Sequence, residues 1–288
     1  MKFIKNKQIE GADDRPLMMD IYLPDTSEKT PVVIFAHGFK GFKDWGCWHL
    51  IAQSFVNQGF AFVKFNFSHN GMTADALLDF ADLEAFGQNT YSKEWADLDH
   101  ILTWITAEAP QYHIDLQQLT LIGHSRGGGM AIAKAAADNR IKNLVTWAAV
   151  PTLAWLWASE AFKTQWKNDG VTYQKNARTG QDMPLYYTLC TDYEANTAIF
   201  DLEIAAPKVH QPWLIVHGSA DAGVAPSSAE YLHHLQPHSS LKIIAKADHV
   251  FGGKHPWHEA DLPKESVELV ETTIDFIKNA NAAPFDLR

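Results

Sequence analysis

The chain is predicted to fold as an α/β domain, a doubly wound and mostly parallel sheet carrying one inserted segment. Three observations predict it. Strand-like runs alternate with helical ones along most of the length, the rhythm of a parallel sheet with crossover helices. Several strand-like runs, such as Val32-Val33-Ile34-Phe35-Ala36, are apolar without interruption, as strands buried on both faces are. One run, Leu119-Thr120-Leu121-Ile122, passes straight into Gly123-His124-Ser125-Arg126-Gly127, with a helix of small residues from Met130 to Ala137 behind it. That is a G-x-S-x-G turn between a strand and a helix.

Each element can be justified in order. Lys2 to Ile9 and Leu17 to Leu23 read as two antiparallel strands around a turn at Gly11-Ala12-Asp13-Asp14. Pro24 to Pro31 is a polar loop, and the buried strand from Val32 ends in His37-Gly38-Phe39-Lys40-Gly41. Trp48, Ile51, Ala52 and Phe55 recur at helical spacing, and Gly59 closes that helix. Phe60 to Phe67 is the next strand, parallel to the first buried one across the helix. Ser68 to Tyr91 is loop-like, with a short helix expected from Ala74 to Ala81. Trp95, Leu98, Ile101, Leu102 and Ile105 form one face of a helix that ends before Pro110. Leu144 to Val150 is a further strand.

The rhythm breaks at Pro151. Residues 151–207 are aromatic and irregular, and are expected to form a lid inserted into a single domain spanning 1–288. The insertion is rooted where strands end, the edge at which open α/β sheets bind ligands. The rhythm resumes with a strand at Trp213 to His217 and a helix from about Pro226 to Leu235, in which Ser227 and Glu230 are spaced as a capping box. The last strand is Leu241 to Ala245. The last helix runs from about Pro263 to Asn279, with Val267, Val270, Ile274 and Ile277 on one face.

Composition narrows the function. Lys and Arg number 24 against 34 Asp and Glu, a net charge of −10, which argues against nucleic acid and anionic membranes as partners. Cys47 and Cys190 are far apart, so no disulfide scaffold is expected. The first residues lack the apolar core of a signal peptide, and no apolar run reaches the roughly 18 residues of a membrane helix. A cytoplasmic location is the expectation.

The serine turn explains its own residues. A sharp turn holds the hydroxyl of Ser125 clear of the sheet end, and Gly123 and Gly127 have no Cβ to collide with the neighbouring strand and helix. A serine hydroxyl needs a base, and the base needs an orienting acid. Asp221 stands just past the Trp213 strand and His249 just past the Leu241 strand, the order this arrangement takes. Asp192 and Asp201 are weaker acids because no clear strand precedes them, and His255 and His258 are weaker bases for the same reason. The oxyanion needs two N–H donors. The backbone of Arg126, directly after the nucleophile, and of Phe39, in the loop after the Val32 strand, are the candidates.

These residues carry a resemblance. His37-Gly38-Phe39, Gly123-His124-Ser125-Arg126-Gly127, Gly218-Ser219-Ala220-Asp221 and Asp248-His249-Val250-Phe251 resemble the α/β-hydrolase superfamily over nearly the whole chain. Within it the chain is most similar to dienelactone-hydrolase-like proteins, bacterial cinnamoyl (feruloyl) esterases and the catalytic domains of prolyl-oligopeptidase-type peptidases. The resemblance implies a serine hydrolase acting on a small carboxylic ester, aryl or hydroxycinnamoyl in particular, with no cofactor. Thioesterase, acyltransferase and small-peptidase activity use the same triad, and a binding protein that kept the fold without turnover is a reading of another class. Dienelactone hydrolases carry cysteine where this chain has Ser125, and the peptidases carry a propeller for which it has no room. The Arg126 side chain is expected to pair with an internal acid. A carboxylate-binding role in the substrate pocket is the sharper alternative.

Other residues suggest less. His233, His234 and His238 resemble a metal site, but the first two project differently from a helix and no acidic ligand set accompanies them. His217, in the turn before Asp221, reads as structural. Gly127-Gly128-Gly129 lacks the G-K-[ST] ending of a phosphate loop.

Overall fold

In a computed structural model, residues 1–157 and 159–282 are described; Ala158 and the last six residues of the expected domain lie outside them. Strands β1 (Lys2–Glu10) and β2 (Pro16–Leu23) pair antiparallel around Ala12–Asp14. The chain then enters β3 (Thr30–Ala36), helix α1 (Trp48–Asn57) and β4 (Ala61–Phe65). Two helices follow, α2 (Leu83–Gly87) and α3 (Tyr91–Glu108), and then the long β5 (Ile114–His124), α4 (Arg126–Ala137) and β6 (Asn143–Trp147). After the insertion come β9 (Trp213–Gly218), α9 (Ser227–Leu235), β10 (Ser240–Ile244) and α10 (Lys264–Ala282).

Eight strands form one sheet in the order β1-β2-β4-β3-β5-β6-β9-β10. From β4 to β10 every pairing is parallel, and β1 and β2 are the antiparallel edge. Alternate residues of each central strand face opposite layers. Val32, Ile34 and Leu121 pack with α3 and α4, whereas Val33, Phe35 and Ile122 pack with α1 and α10. Two hydrophobic layers on one sheet are why these strands read as unbroken apolar runs.

The insertion is more regular than its sequence suggests. It holds α5 (Glu160–Asp169), a hairpin of β7 (Val171–Lys175) and β8 (Asp182–Tyr186), α6 (Thr188–Ala195) and two single-turn helices, α7 (Thr197–Phe200) and α8 (Leu202–Ala205). The hairpin accounts for another difference. The expected helix over Ala74–Ala81 does not form. Thr73 and Ala76 close a tight backbone turn instead. Arg178 and Gln181 donate to the carbonyls of Leu78 and Phe80 at 3.1 and 3.0 Å, and Phe80 is buried against Phe42 and Phe86. The helix forms at Leu83 instead, where the Asp82 carboxylate accepts from Ala85 N–H at 2.9 Å.

Two smaller expectations are also corrected. Ser227 is not a cap: Pro226 already has helical angles (φ −54°, ψ −29°) and Ala225 and Pro226 carbonyls take the first amides. Val267 is 39% exposed on α10, whose inward face is Leu269, Val270, Thr273, Ile274 and Ile277.

Beneath α1 lies a closed ring of charge that the sequence reading did not single out. Asp20 on β2 stands opposite Lys64 on β4. The β3–α1 loop adds Lys43 and Asp44. Lys43 reaches Asp20 at 3.0 Å and Asp44 at 2.6 Å, and Lys64 reaches Asp20 at 2.7 Å and also bonds Asp44. Both lysines are fully buried. Burial opposes ionisation of Asp44, yet the two ammonium groups overcome it and hold its pKa at about 2. A buried ring of this kind adds little net stability over an apolar core, but loss of one member strands a charge. Lys64→Met is therefore expected to lower unfolding free energy by about 3–5 kcal/mol in urea titrations. Because the folded pKa of Asp44 is depressed, its contribution is present above pH 4 and is lost between pH 4 and 2. A melting temperature unchanged across that interval would contradict this.

Candidate active site

The candidate site residues collect at the carboxyl ends of the parallel strands, because each strand there ends in a loop free to carry polar residues. The β5–α4 turn is the tightest of them. Ser125 sits at φ 55° and ψ −122°, a region costly for a residue with a side chain. Its amide donates to Trp147 O at 2.9 Å and its carbonyl accepts from Gly128 N–H at 2.9 Å, so both neighbouring elements hold the strained turn. A Cβ on Gly127 would stand 2.5 Å from Ala36 O and collide with His37 O as well. The helix can start this close to β3 only with glycine at that place.

Three loops bring the predicted triad together. Ser125 Oγ lies 3.0 Å from His249 Nε2. His249 Nδ1 lies 2.8 Å from Asp221 Oδ2. Asp221 Oδ1 accepts from the amides of Gly223 and Val224, each at 2.8 Å. Burial alone would raise the Asp221 pKa, but the N–H groups of His217, His249 and Val224 outweigh it and hold the carboxyl well below the usual carboxylate range. The competing residues serve elsewhere. Asp192 accepts from Ser92 N–H at 2.9 Å, Asp201 caps α8, and His255 Nδ1 accepts from Gly46 N–H at 2.9 Å; His258 follows in that same loop.

The loop after β3 closes on the serine. A Cβ on Gly38 would fall 2.8 Å from the Ser125 Cβ, so glycine lets this backbone approach, with Phe39 next in line. Arg126 is the first residue of α4, where an amide has no partner inside the helix. His37 fixes the loop. Its Nδ1–H donates to Gly38 O at 2.9 Å, and Phe67 N–H donates to its Nε2 at 3.3 Å. Burial, aided by the nearby Arg126 charge, pushes its pKa down to about 4. A cleft of about 140 Å³ opens here, with Phe39, Trp45, Trp48 and His124 beside Ser125 and His249. The insertion reaches the same loop: Trp155 packs on Phe39 with ring centroids 5.6 Å apart, and Lys40 donates to Lys175 O at 3.0 Å.

Arg126 is 6% exposed, bonds Glu94 and lies 4.8 Å from the centre of the Phe39 ring. Glu94, 1% exposed, is the internal acid that the sequence reading required but did not name. Its spacing was a usable signal, since position 94 shares the buried face of α3 with Tyr91, Leu98 and Ile101. His124 was not singled out, and His217 was read as structural alone. His124 donates to His249 O at 2.8 Å, and burial beside His249 pushes its pKa down to about 3. Of the suggested metal group, His233 bonds Ser239 Oγ at 2.8 Å, and no cluster of three or more metal-ligating side chains occurs among the described residues. None of the described helices is long and apolar enough to cross a membrane.

Solved structures with this architecture cover nearly the whole chain. The esterase domain of a Rhodothermus marinus protein is 18% identical with a TM-score of 0.66, over 97% of this chain and 99% of that one. The chain has the α/β-hydrolase fold. Two further α/β hydrolases widen the comparison. Est1E from Butyrivibrio proteoclasticus, solved with ferulic acid bound, is 18% identical with a TM-score of 0.71, over 95% and 99% of the two chains. Dienelactone hydrolase from Anabaena variabilis is 16% identical with a TM-score of 0.64, over 96% and 97%. The family model BD-FAE matches residues 19–150, which include Ser125 but neither Asp221 nor His249. An uncharacterized 31.7 kDa protein from the traX–finO intergenic region of Escherichia coli is 30% identical over 148 residues. That match covers 51% of this chain and 45% of the relative, so less than half the relative's length is spanned.

The buried Arg126–Glu94 pair makes a stability prediction. Arg126→Met leaves the Glu94 carboxylate without its cation, and is expected to lower unfolding free energy by about 3–5 kcal/mol. Chemical denaturation measures it. If Arg126 instead served mainly to bind a substrate carboxylate, the variant would keep its stability and lose affinity for acidic esters over neutral ones.

Proposed function

We propose that this α/β hydrolase cleaves a small carboxylic ester through an acyl-enzyme on Ser125. The observation that carries the reading is the chain Ser125 Oγ, His249 Nε2, His249 Nδ1, Asp221 Oδ2, joined at 3.0 and 2.8 Å. Ser125 Oγ attacks the ester carbonyl carbon, and its proton passes to His249 Nε2. The carbonyl oxygen takes up negative charge and is received by the backbone N–H groups of Phe39 and Arg126, with the first turn of α4 behind them. Asp221 keeps the Nδ1 proton on the imidazole and stabilises the imidazolium. His249 then returns the proton to the leaving alkoxide, and the acyl-enzyme remains. A water molecule repeats the sequence: His249 removes its proton, the oxygen attacks the acyl carbon, and the acid leaves as Ser125 Oγ recovers a proton. No step calls for a metal or an organic cofactor.

An aromatic acyl group such as a hydroxycinnamoyl is the substrate class proposed. The rings of Phe39, Trp45 and Trp48 along the cleft support it, and so does the ferulic acid bound by Est1E.

A fluorophosphonate probe tests the reading directly. Wild type is expected to label rapidly at one site, and Ser125→Ala and His249→Ala are expected not to label. Asp221→Asn, which supplies a donor where the imidazole needs an acceptor, is expected to lower kcat by about 10⁴. Absence of labelling in folded wild type would overturn the proposal, and a preference for short aliphatic over aryl esters would overturn the acyl-group part of it.

A further inference from the structure

A second histidine faces the triad acid. His217, the penultimate residue of β9, has Nε2 3.1 Å from Asp221 Oδ2 and 3.0 Å from Val224 O. Both neighbours are acceptors, so Nε2 carries a hydrogen. The side chain is fully buried, and its Nδ1 meets no partner among the described residues. A cationic His217 would leave an N–H buried and unmet, which low-dielectric surroundings disfavour. The neutral Nε2–H tautomer satisfies the geometry.

Asp221 then receives four donors. Gly223 and Val224 amides fill Oδ1 at 2.8 Å each, and His217 and His249 share Oδ2 at 3.1 and 2.8 Å. A carboxylate has about four lone-pair sites, so the acid is fully engaged and its plane is fixed. We propose that His217 is a positioning residue for the proposed esterase reaction, acting through Asp221. It locks the carboxylate so that Oδ2 faces His249, and it shares that oxygen's charge, so Asp221 holds the imidazolium less tightly than it would alone. The inference rests on the triad reading above and adds a fourth member to it.

Proton accounting keeps the role distinct from catalysis. When Ser125 gives its proton to His249 Nε2, the positive charge resides on His249, and His217 neither gains nor loses a proton. Among the described residues two imidazoles face the His249–Asp221 pair from neighbouring elements, His217 on β9 and His124 on β5, and the Ser125 hydroxyl lies at His249 Nε2. His124 stays uncharged, with its pKa pushed down to about 3 by burial and by His249. Its ring lies 4.9 Å from that of His249, but its Nε2 donates to His249 O, so His217 is the imidazole besides His249 that bonds Asp221 directly.

The test follows the imidazole Cε1–H resonances by NMR across pH in wild type, His217→Phe and His217→Gln, with thermal melts confirming the fold. Phe removes the donor, and Gln restores one at the place of Nε2. The His249 titration midpoint is expected to rise by about one pH unit in His217→Phe, the size expected for losing a hydrogen bond to a charged group, and to return with Gln. Should His217→Phe fail to fold, His217→Asn, whose amide lies at the Nδ1 position and cannot reach Asp221, takes its place with the same expected rise. An equal midpoint in wild type and a folded donor-less variant would overturn the inference. The titration needs no turnover, so failure of the esterase reading, seen as absent fluorophosphonate labelling of wild type, remains a separate result.

Discussion

The structure depends on one close approach, the backbone of Gly127 against the carbonyl oxygens of Ala36, the last residue of β3, and His37 just after it. Because α4 starts there, Ser125 is forced to φ 55°, and the chain turns from strand to helix within a single residue. That turn exposes the hydroxyl, makes Arg126 the first residue of α4 and brings Gly38 against the Ser125 side chain. A strained residue persists only where its surroundings over-determine it. Here the Ser125 amide donates to Trp147 O, and the amides of Gly128 and Val150 donate to Ser125 O, which supplies that constraint. The far end of the β3–α1 loop is fixed by a different device. Lys43 and Asp44 tie it into the charge ring with β2 and β4, and Lys43 N–H donates to Asn66 Oδ1 at 2.7 Å. The loop that carries Phe39 is thus held at one end by steric contact and at the other by buried charge.

Around the serine, histidines are numerous but not equivalent. His37 and His124 are held neutral by burial, with pKa values near 4 and 3, whereas His217 has acceptors at Nε2 and, among the described residues, no partner at Nδ1. Only His249 is partly open, with 28% of its side chain exposed. Solvent access is what lets an imidazole accept a proton without the full cost of burying a cation. The Arg126 cation beside them is neutralised by Glu94, so its charge does not compete strongly with a developing imidazolium.

The strand-and-helix rhythm and the strand-end positions of Ser125, Asp221 and His249 were legible in the sequence, because both depend on local pattern: apolar period, glycine placement and chain order. The Ala74–Ala81 helix was not, because its carbonyls are claimed by Arg178 and Gln181, roughly a hundred residues away. Local propensity cannot report a competitor so remote. The insertion concealed its hairpin for a related reason. β7 is half exposed and short, and its pairing with β8 gives no long apolar run. The charge ring was hidden because Asp20 and Lys64 sit in strands, where charged residues read as solvent-facing until their register brings them opposite each other. Glu94 and Asp97 were readable in principle, since both fall on the apolar face of α3.

A second set of serine, histidine and aspartate shows why residue types alone are not a site. Ser68 Oγ lies 2.9 Å from Asp97 Oδ2 and 2.9 Å from His69 Nδ1. The serine stands between acid and imidazole, and on the far side of that imidazole Nε2 meets the Lys93 ammonium at 3.4 Å as well as the Asp13 carboxylate at 3.6 Å, so the pull of the acid is opposed by a cation. Asp97 also accepts the amides of Ala12 and Ser68 at 2.8 Å each, which binds the turn after β1 to α3. Burial raises the Asp97 pKa to about 6 despite these bonds, and burial with the adjacent Lys93 charge lowers that of His69 to about 4. Near neutral pH the aspartate is ionised and the histidine neutral, the same charges an active triad needs. The difference lies in order and access. Ser68 is 4% exposed and faces two partners within the fold, whereas the Ser125 hydroxyl has His249 as its partner and a cleft beside it. The chemistry proposed at this fold's strand ends rests on that arrangement, and the Ser68 set, built from the same three side chains, serves to join two elements.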